Sequence, residues 1–307
     1  MNNLKLSPSF RRKPKSRPAR RLDSGLRIAG VTCIAITLFL TGCTQEFFFP
    51  THKLYRRPEE LGIKSEWLKF PSGDGTEITG LLMKTSLQSP RGVIVQFHGN
   101  GENMTSHFMF SYWLPAQGYD VFIFDYRGYG ASNGSPSLKG AIDDGIAAIN
   151  YVLKRNDLPQ GVAIWGQSLG GALSVASLCQ GHFRDNSRIK AVILESTFDS
   201  YVDMADDVLS RSWLSWPLQW PLSRLLISDQ YAPKRLMKDL PRVPILVIHG
   251  DHDSVVPYRF GKRLFQKTLS PKTFWRVKGG GHLETFTRFG SKFKPRLIRF
   301  LNDAFHK

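Results

Sequence analysis

Cysteine is scarce in this chain. Three occur among 307 residues, at Cys33, Cys43 and Cys179. They fall in no metal-ligand spacing and make no disulfide framework, so neither a cysteine metal site nor a disulfide-stapled fold is expected. Long apolar runs are scarce too. The uncharged stretch at residues 28–42, IAGVTCIAITLFLTG, has 15 residues, short of the roughly 20 that a spanning helix needs. No repeat at a solenoid period is visible and no low-complexity tract interrupts the body. What is present is ordinary globular composition, 41% hydrophobic and 12% aromatic, enough for a core of one large α/β domain or two small ones.

Acidic residues are also few. The net charge is +17, and its distribution matters more than its size. Nine of the 42 Lys and Arg, and one of the 25 acids, lie in residues 1–42. The body keeps 33 basic and 24 acidic residues, a charge of +9. That excess reads as a solvated basic surface or as affinity for anionic lipid headgroups. No nucleic-acid-binding motif accompanies it, so a nucleic-acid partner is not expected.

The N-terminus reads as an address. A basic segment precedes the short apolar run, and small residues end it, the form of a secretory signal. Leu40-Thr41-Gly42-Cys43 resembles the bacterial lipobox, in which the cysteine is lipidated and becomes the mature N-terminus. The expectation is a lipoprotein signal over 1–42 and a membrane tether at Cys43. The body would then face away from the cytoplasm, on the outer membrane in a Gram-negative envelope. An uncleaved signal anchor is the alternative. Residues 43–64 read as a juxtamembrane linker, in which Phe47, Phe48 and Phe49 pack on the domain or rest at the lipid interface.

Along the body, strand-like runs fall at 65–70, 77–83, 92–97, 120–124, 162–165, 189–195, 244–249 and 273–277. SGDGT between the first two is a hairpin signal. The runs at 92–97 and 120–124 are continuously apolar, as strands buried on both faces are. Helical patterns fall at 104–117, 138–154, 170–179, 257–269 and 290–305. Antiparallel strands followed by βαβ alternation predict a mostly parallel, eight-stranded sheet with helices on both faces. In such sheets, ligands sit beyond the carboxyl ends of the strands.

One stretch concentrates that expectation. In VAIWGQSLGGALSVASL, residues 162–178, a buried run ends in Gly166-Gln167-Ser168-Leu169-Gly170. Gly-x-Ser-x-Gly between a strand and a helix is the context of a nucleophile elbow. The turn leaves no room for flanking side chains, and the helix N-terminus beneath offers N–H groups to a developing oxyanion. Downstream, PILVIHGDHDSVVP places Asp251 and Asp253 after a strand, and FWRVKGGGHLETF places His282 after another.

Ser, Asp, His is the chain order of the α/β-hydrolase superfamily, and the sequence resembles it over residues 65–305. HGDHDSVVP is similar to the superfamily's acid loop and selects Asp253 over Asp251. HGNGEN, residues 98–103, is similar to its oxyanion loop, and FDYRGYGASNG, residues 124–134, to the loop after the next strand. The resemblance implies Ser168 as nucleophile, His282 as general base and Asp253 as the acid that orients it. It implies an oxyanion hole from the backbone N–H groups of Leu169 and Asn100, and neither a cofactor nor a metal. Glu195, at another strand end, is an alternative acid. His249, Asp251, His252, Asp253 and His282 admit a metal-cluster reading, but no second cluster completes it. Asp251 then braces its loop, His98 bonds backbone, Asp125 and Arg127 are structural, and Cys179 is a buried apolar residue.

The superfamily inserts its lid where residues 200–240 lie here, so a short helical cap is expected. SWLSWPLQWPLSRLL carries Trp213, Trp216 and Trp220, an apolar roof or a packed cap, with prolines that break any long helix. The branches it resembles are single-domain, membrane-associated hydrolases: acyl-protein depalmitoylases, monoacylglycerol lipase-like enzymes and serine aminopeptidase-like proteins. The expected substrate is an ester or thioester of an apolar acyl group, such as palmitate. A peptidase or amidase on the same triad and a non-catalytic envelope binding protein are the alternatives. The sequence does not speak to oligomeric state.

Overall fold

The computed structural model describes residues 48–211, 219–269 and 271–306. The expected signal, Cys33, Cys43, Trp213, Trp216 and the side chain of Trp220 lie outside the described residues.

Eight strands form one sheet. They are β1 (Ser65–Pro71), β2 (Glu77–Met83), β3 (Gly92–Phe97), β4 (Tyr119–Phe124), β5 (Val162–Gln167), β6 (Ile189–Glu195), β7 (Ile245–Gly250) and β8 (Lys272–Val277). Their spatial order is β1–β2–β4–β3–β5–β6–β7–β8. β2 runs antiparallel to both β1 and β4, and every other pairing is parallel. The β1–β2 turn is the SGDGT signal, closed by Ser72 N–H donating to Thr76 O at 2.8 Å and by Gly75 at φ +84°.

Alternation along the central strands sorts the core into two layers. On β5, Val162 and Ile164 enter one cluster with Phe97, while Ala163 and Trp165 enter the other with Ile94. The helices α2 (Leu138–Lys154), α3 (Leu169–Gln180) and α7 (Tyr258–Lys267) cover the first face. The last helix, α8 (Gly290–Phe305), and the short α1 (Met104–His107) cover the second. β3, β4, β5 and β7 are buried at every position, which is why their sequences lack a two-residue period. The edge strand β8 does alternate, and it carries exposed Lys272 and Arg276, charges that discourage pairing with another chain.

Two expectations need correction. The helix expected over 104–117 is one α turn followed by 3₁₀ turns at Phe108–Phe110 and Pro115–Gln117. The Ser111 hydroxyl turns to Gln96 and to Phe108 O, Trp113 Nε1 takes Phe110 O at 2.9 Å, and Pro115 has no N–H to continue a helix. The linker expected over 43–64 is docked on the domain from Phe48 onward. Gly130 N–H donates to Thr51 O at 3.0 Å, Tyr55 N–H to Thr105 Oγ1 at 3.0 Å, and Asn103 Nδ2 to the carbonyls of Thr51 and Lys53. These bonds hold residues 51–55 against the domain.

Among the described residues, three α-helices fall within the expected cap region: α4 (Tyr201–Ser210), α5 (Gln219–Leu226) and α6 (Pro233–Leu236). Ser200 caps α4 by accepting from Asp203 N–H at 3.1 Å. Asp229 then ties the segment back, accepting from Ser200 Oγ at 2.7 Å and Val202 N–H at 3.2 Å.

Candidate active site

Ser168 stands between β5 and α3 at φ +52°, ψ −122°. A side-chain residue in that region is strained, and strain persists only where the surroundings over-determine it. Here they do. Ser168 N–H donates to Glu195 O at 2.9 Å, and Ser168 O accepts from Gly171 N–H at 3.0 Å and Thr197 Oγ1 at 2.6 Å. The flanking glycines have a steric reason. A Cβ on Gly166 would lie 2.5 Å from Gly171 Cα, and one on Gly170 would lie 2.3 Å from the carbonyl oxygens of Phe97 and His98. The elbow is thus wedged against the end of β3.

The candidate acid and base, Asp253 and His282, follow the ends of β7 and β8. Asp253 Oδ2 accepts from His282 Nδ1 at 2.8 Å. Asp253 Oδ1 accepts from the N–H groups of Val255 and Val256, each at 2.9 Å. The Asp253 side chain is fully buried and that of His282 is 19% exposed, so the pair is dry at one end and open at the other. Burial pushes the Asp253 carboxyl up, but the hydrogen bond and charge of His282 and the Val256 N–H outweigh it and hold it below its ordinary value. The Nδ1 bond to a carboxylate assigns that proton to Nδ1 and leaves Nε2 as acceptor.

Ser168 and His282 converge on one strand end. Ser168 N–H bonds Glu195 O, and the residue after His282 donates its N–H to Ser196 Oγ at 3.4 Å. Asp251 braces the same loops from outside the pair. It accepts from Gly279 N–H at 2.6 Å and from Arg276 Nε at 2.8 Å. Glu195 turns into the sheet, where its Oε2 accepts from Trp165 Nε1 at 3.2 Å and Gln167 Nε2 at 2.9 Å, and burial pushes its carboxyl up. The imidazole's carboxylate partner is therefore Asp253 and not Glu195. His249 Nε2 sits 2.8 Å from Val256 O, supporting the acid loop, and burial holds it below its ordinary pKa. His252 is solvent-exposed beside Asp251. Among the described residues no three His, Cys, Asp or Glu side chains converge as a metal site.

The other half of the site is the loop after β3. A Cβ on Gly99 would lie 3.4 Å from Ser168 Cβ, so the loop passes alongside the serine. Leu169, the first residue of α3, has an N–H with no partner inside its helix. Asn100 follows Gly99, and its side chain locks the loop: Oδ1 accepts from Gly101 N–H at 2.9 Å, Tyr129 Oη at 2.9 Å and Phe49 N–H at 2.9 Å. His98 Nδ1 lies 2.7 Å from Gly99 O, and Asp125 Oδ1 accepts from Met104 N–H at 2.7 Å. Arg127 pairs with Asp144 and Asp74, each at 2.8 Å, away from the serine. Cys179 is half-buried on α3, and burial pushes its thiol up to about 12.

Sequence reasoning missed Tyr129 and Glu102, which holds φ +52° beside Asn100; of its two readings of the Phe triplet, packing on the domain is the one met, as a strap at Phe48–Phe49. Tyr129 was visible within FDYRGYGASNG, but its partner Asn100 is 29 positions away. The strap stood in view as a triplet of Phe, a pattern that reads equally well as lipid contact.

The sheet order and the serine elbow define an α/β-hydrolase. A family model described as "Hydrolase_4: Serine aminopeptidase, S33" matches residues 88–243, and the chain belongs to that family of α/β-hydrolases. The chain is 32% identical over 290 residues to the Escherichia coli O157:H7 "Uncharacterized protein YfhR", covering 93% of this chain and 96% of that one. It is 32% identical over 274 residues to the Danio rerio "Lysophosphatidylserine lipase ABHD12", covering 82% of this chain and 69% of the other. Among solved structures, a Pyrococcus furiosus esterase, Pf2001, superposes with a TM-score of 0.69 at 17% identity, over 84% of this chain and 98% of that one. That last likeness is of fold.

Proposed function

We propose that this hydrolase cleaves carboxylic esters or thioesters of an apolar acyl group by a Ser168–His282–Asp253 triad. The observation that carries the reading is the His282 Nδ1–Asp253 Oδ2 bond of 2.8 Å at the strand ends beside a serine held at positive φ. In this mechanism His282 Nε2 takes the proton of Ser168 Oγ as the oxygen attacks the substrate carbonyl. The developing oxyanion is met by the N–H groups of Leu169 and Asn100, each such donor contributing about 10²–10³ in rate. Collapse expels the leaving group, which receives the proton from His282. Water, activated by the same imidazole, then hydrolyses the acyl-enzyme. Asp253 keeps the proton on Nδ1 and stabilises the imidazolium.

The name of the Danio rerio relative, a lysophosphatidylserine lipase, favours esters with a single acyl chain. The aminopeptidase description of the family favours a second reading, amide cleavage on the same triad. The resemblance around Cys43 places the enzyme, in this proposal, on a membrane through a lipid anchor, outside the cytoplasm, where lipid esters are at hand; incorporation of radiolabelled palmitate, lost in Cys43→Ser, tests it.

Fluorophosphonate labelling of the body, with the adduct mapped by mass spectrometry, is the direct test. A single adduct on Ser168, absent in Ser168→Ala, is expected. A folded protein that takes no adduct would sink the triad and leave a non-catalytic binding protein. Ester against amide turnover by the unlabelled enzyme then separates the two hydrolytic readings.

A further inference from the structure

A cavity of about 220 Å³ opens beside the serine elbow, between the N-terminal strap and the cap. Its apolar wall is built from Phe48, Leu138, Leu169, Tyr201, Ile227 and Tyr231. Leu169 directly follows Ser168, so one end of the cavity lies one residue from the nucleophile. Lys139 stands at its rim, but its Nζ is engaged by Asp143 at 2.7 Å, so the interior stays suited to an uncharged ligand. A larger hollow of about 410 Å³ lies against Phe70, Asp143 and Tyr151, and it shares no lining residue with the serine, the acid or the base.

Phe48 belongs to both the wall and the strap. Its ring is 6% exposed and packs edge-on against Tyr129, with centroids 6.4 Å apart. Tyr129 Oη and the N–H of the next residue, Phe49, both donate to Asn100 Oδ1. The strap therefore shapes the cavity with one residue and fastens the loop of the proposed oxyanion donor with its neighbour.

We infer that Phe48 is a specificity-determining residue, its ring setting how long an acyl chain the cavity accepts. The inference rests on the serine-hydrolase reading above and deepens it. The occupant is a linear apolar acyl chain bound through its ester to Ser168. At about 30 Å³ for each water-sized group, the cavity holds roughly seven methylene-sized groups. Octanoyl esters fill it, and longer chains leave their ends outside. Asn100 is not itself a chain contact; the strap positions it.

The test is a series of p-nitrophenyl esters from acetate to palmitate, run on wild type, Phe48→Ala and Phe48→Trp. A separate aliquot of each preparation is titrated with fluorophosphonate so that rates refer to active enzyme. Within the cavity, kcat/KM should rise about fourfold per methylene, the gain expected from burying each one. The readout is the chain length at which the rise stops, which a general loss of rate does not move. In wild type it should stop near octanoate. In Phe48→Ala it should continue for about two carbons or more, and in Phe48→Trp it should stop earlier. Phe48→Leu, which keeps an apolar plug, serves where the alanine variant does not fold, and its break should also move to longer chains. An unchanged break in variants that still label with fluorophosphonate overturns the inference and leaves the triad intact. Failure of the wild type to label overturns the reading beneath it.

Discussion

Asp253→Asn discriminates more sharply than deletion of the serine, because it preserves shape and changes one proton. Asp253 Oδ1 receives two N–H groups, from Val255 and Val256, each at 2.9 Å. An asparagine must offer its carbonyl oxygen there. The flipped amide would set its NH₂ against two donors and strand both, at about 1–3 kcal/mol each. The NH₂ therefore faces His282 Nδ1, now 2.8 Å from a carboxylate oxygen. Nδ1 becomes an acceptor, the ring proton moves to Nε2, and the nitrogen facing Ser168 has no lone pair to take a proton. The same substitution in a well-studied triad of another protein lowers kcat by about 10⁴, or about 5 kcal/mol of transition-state stabilisation. The expectation here is a loss of about 10³–10⁴ in kcat on a short p-nitrophenyl ester, with binding little changed. Thermal unfolding checks that the fold survives. Glu195→Gln is the matched control: its carboxyl already serves Trp165 and Gln167 inside the sheet, and its rate should stay within about threefold. A folded Asp253→Asn enzyme retaining a tenth of wild-type rate would refute the assignment, and collapse of the Glu195 variant alone would transfer the role.

Gly170→Ala should lose stability by about 3 kcal/mol and activity by at least about tenfold, because the new Cβ meets the carbonyls of Phe97 and His98 at 2.3 Å, where backbone has nowhere to go. Chemical denaturation and ester turnover measure both, and wild-type values in each would show that the elbow is looser than described. Asp125→Asn should alter the pH dependence of stability. Burial pushes the Asp125 carboxyl up to about 7, against the opposing Met104 N–H. The folded state therefore binds that proton more tightly than the unfolded chain, and the wild type loses stability as pH rises from about 4 to about 7. The variant lacks this loss. Its unfolding free energy should exceed that of wild type by on the order of a few kcal/mol at about pH 8 and converge with it near pH 4, read by chemical denaturation. An offset independent of pH would show that Asp125 does not titrate in this window. Acidification should be harsher for the variant, since His107, pushed down to about 4 by burial, opposes folding when protonated and is no longer offset.

Much of the fold was legible because burial writes itself into local pattern. The strands at 77–83, 92–97 and 189–195 and the helices at 138–154 and 290–305 have the bounds expected from their apolar runs and periods. The failed helix at 104–117 shows the limit. Its residues suit a helix, but Ser111 finds its hydrogen-bond partner in Gln96 on β3, a neighbour that local pattern does not contain. The strap shows the same limit: packing of Phe48 and Phe49 on the domain was one of two readings, and the partners that decide it, Asn100 and Tyr129, lie 51 and 80 residues from Phe49. Within the site, spacing alone pointed to Ser168, and the choice of Asp253 over Asp251 came from the likeness of HGDHDSVVP to the superfamily's acid loop. The geometry gives each aspartate its own work, one on His282 and one on Gly279 and Arg276.

By itself the sequence determined the alternation of strands and helices, the elbow and the order of serine, acid and base, since these depend on residues adjacent in the chain or on period. Only the tertiary structure decided that Glu195 turns into the sheet, that Tyr129 and Phe49 lock Asn100, and that the strap closes a cavity against the cap. Those are contacts between residues 29 to 183 positions apart, and they exist only once sheet order has brought the strand ends together.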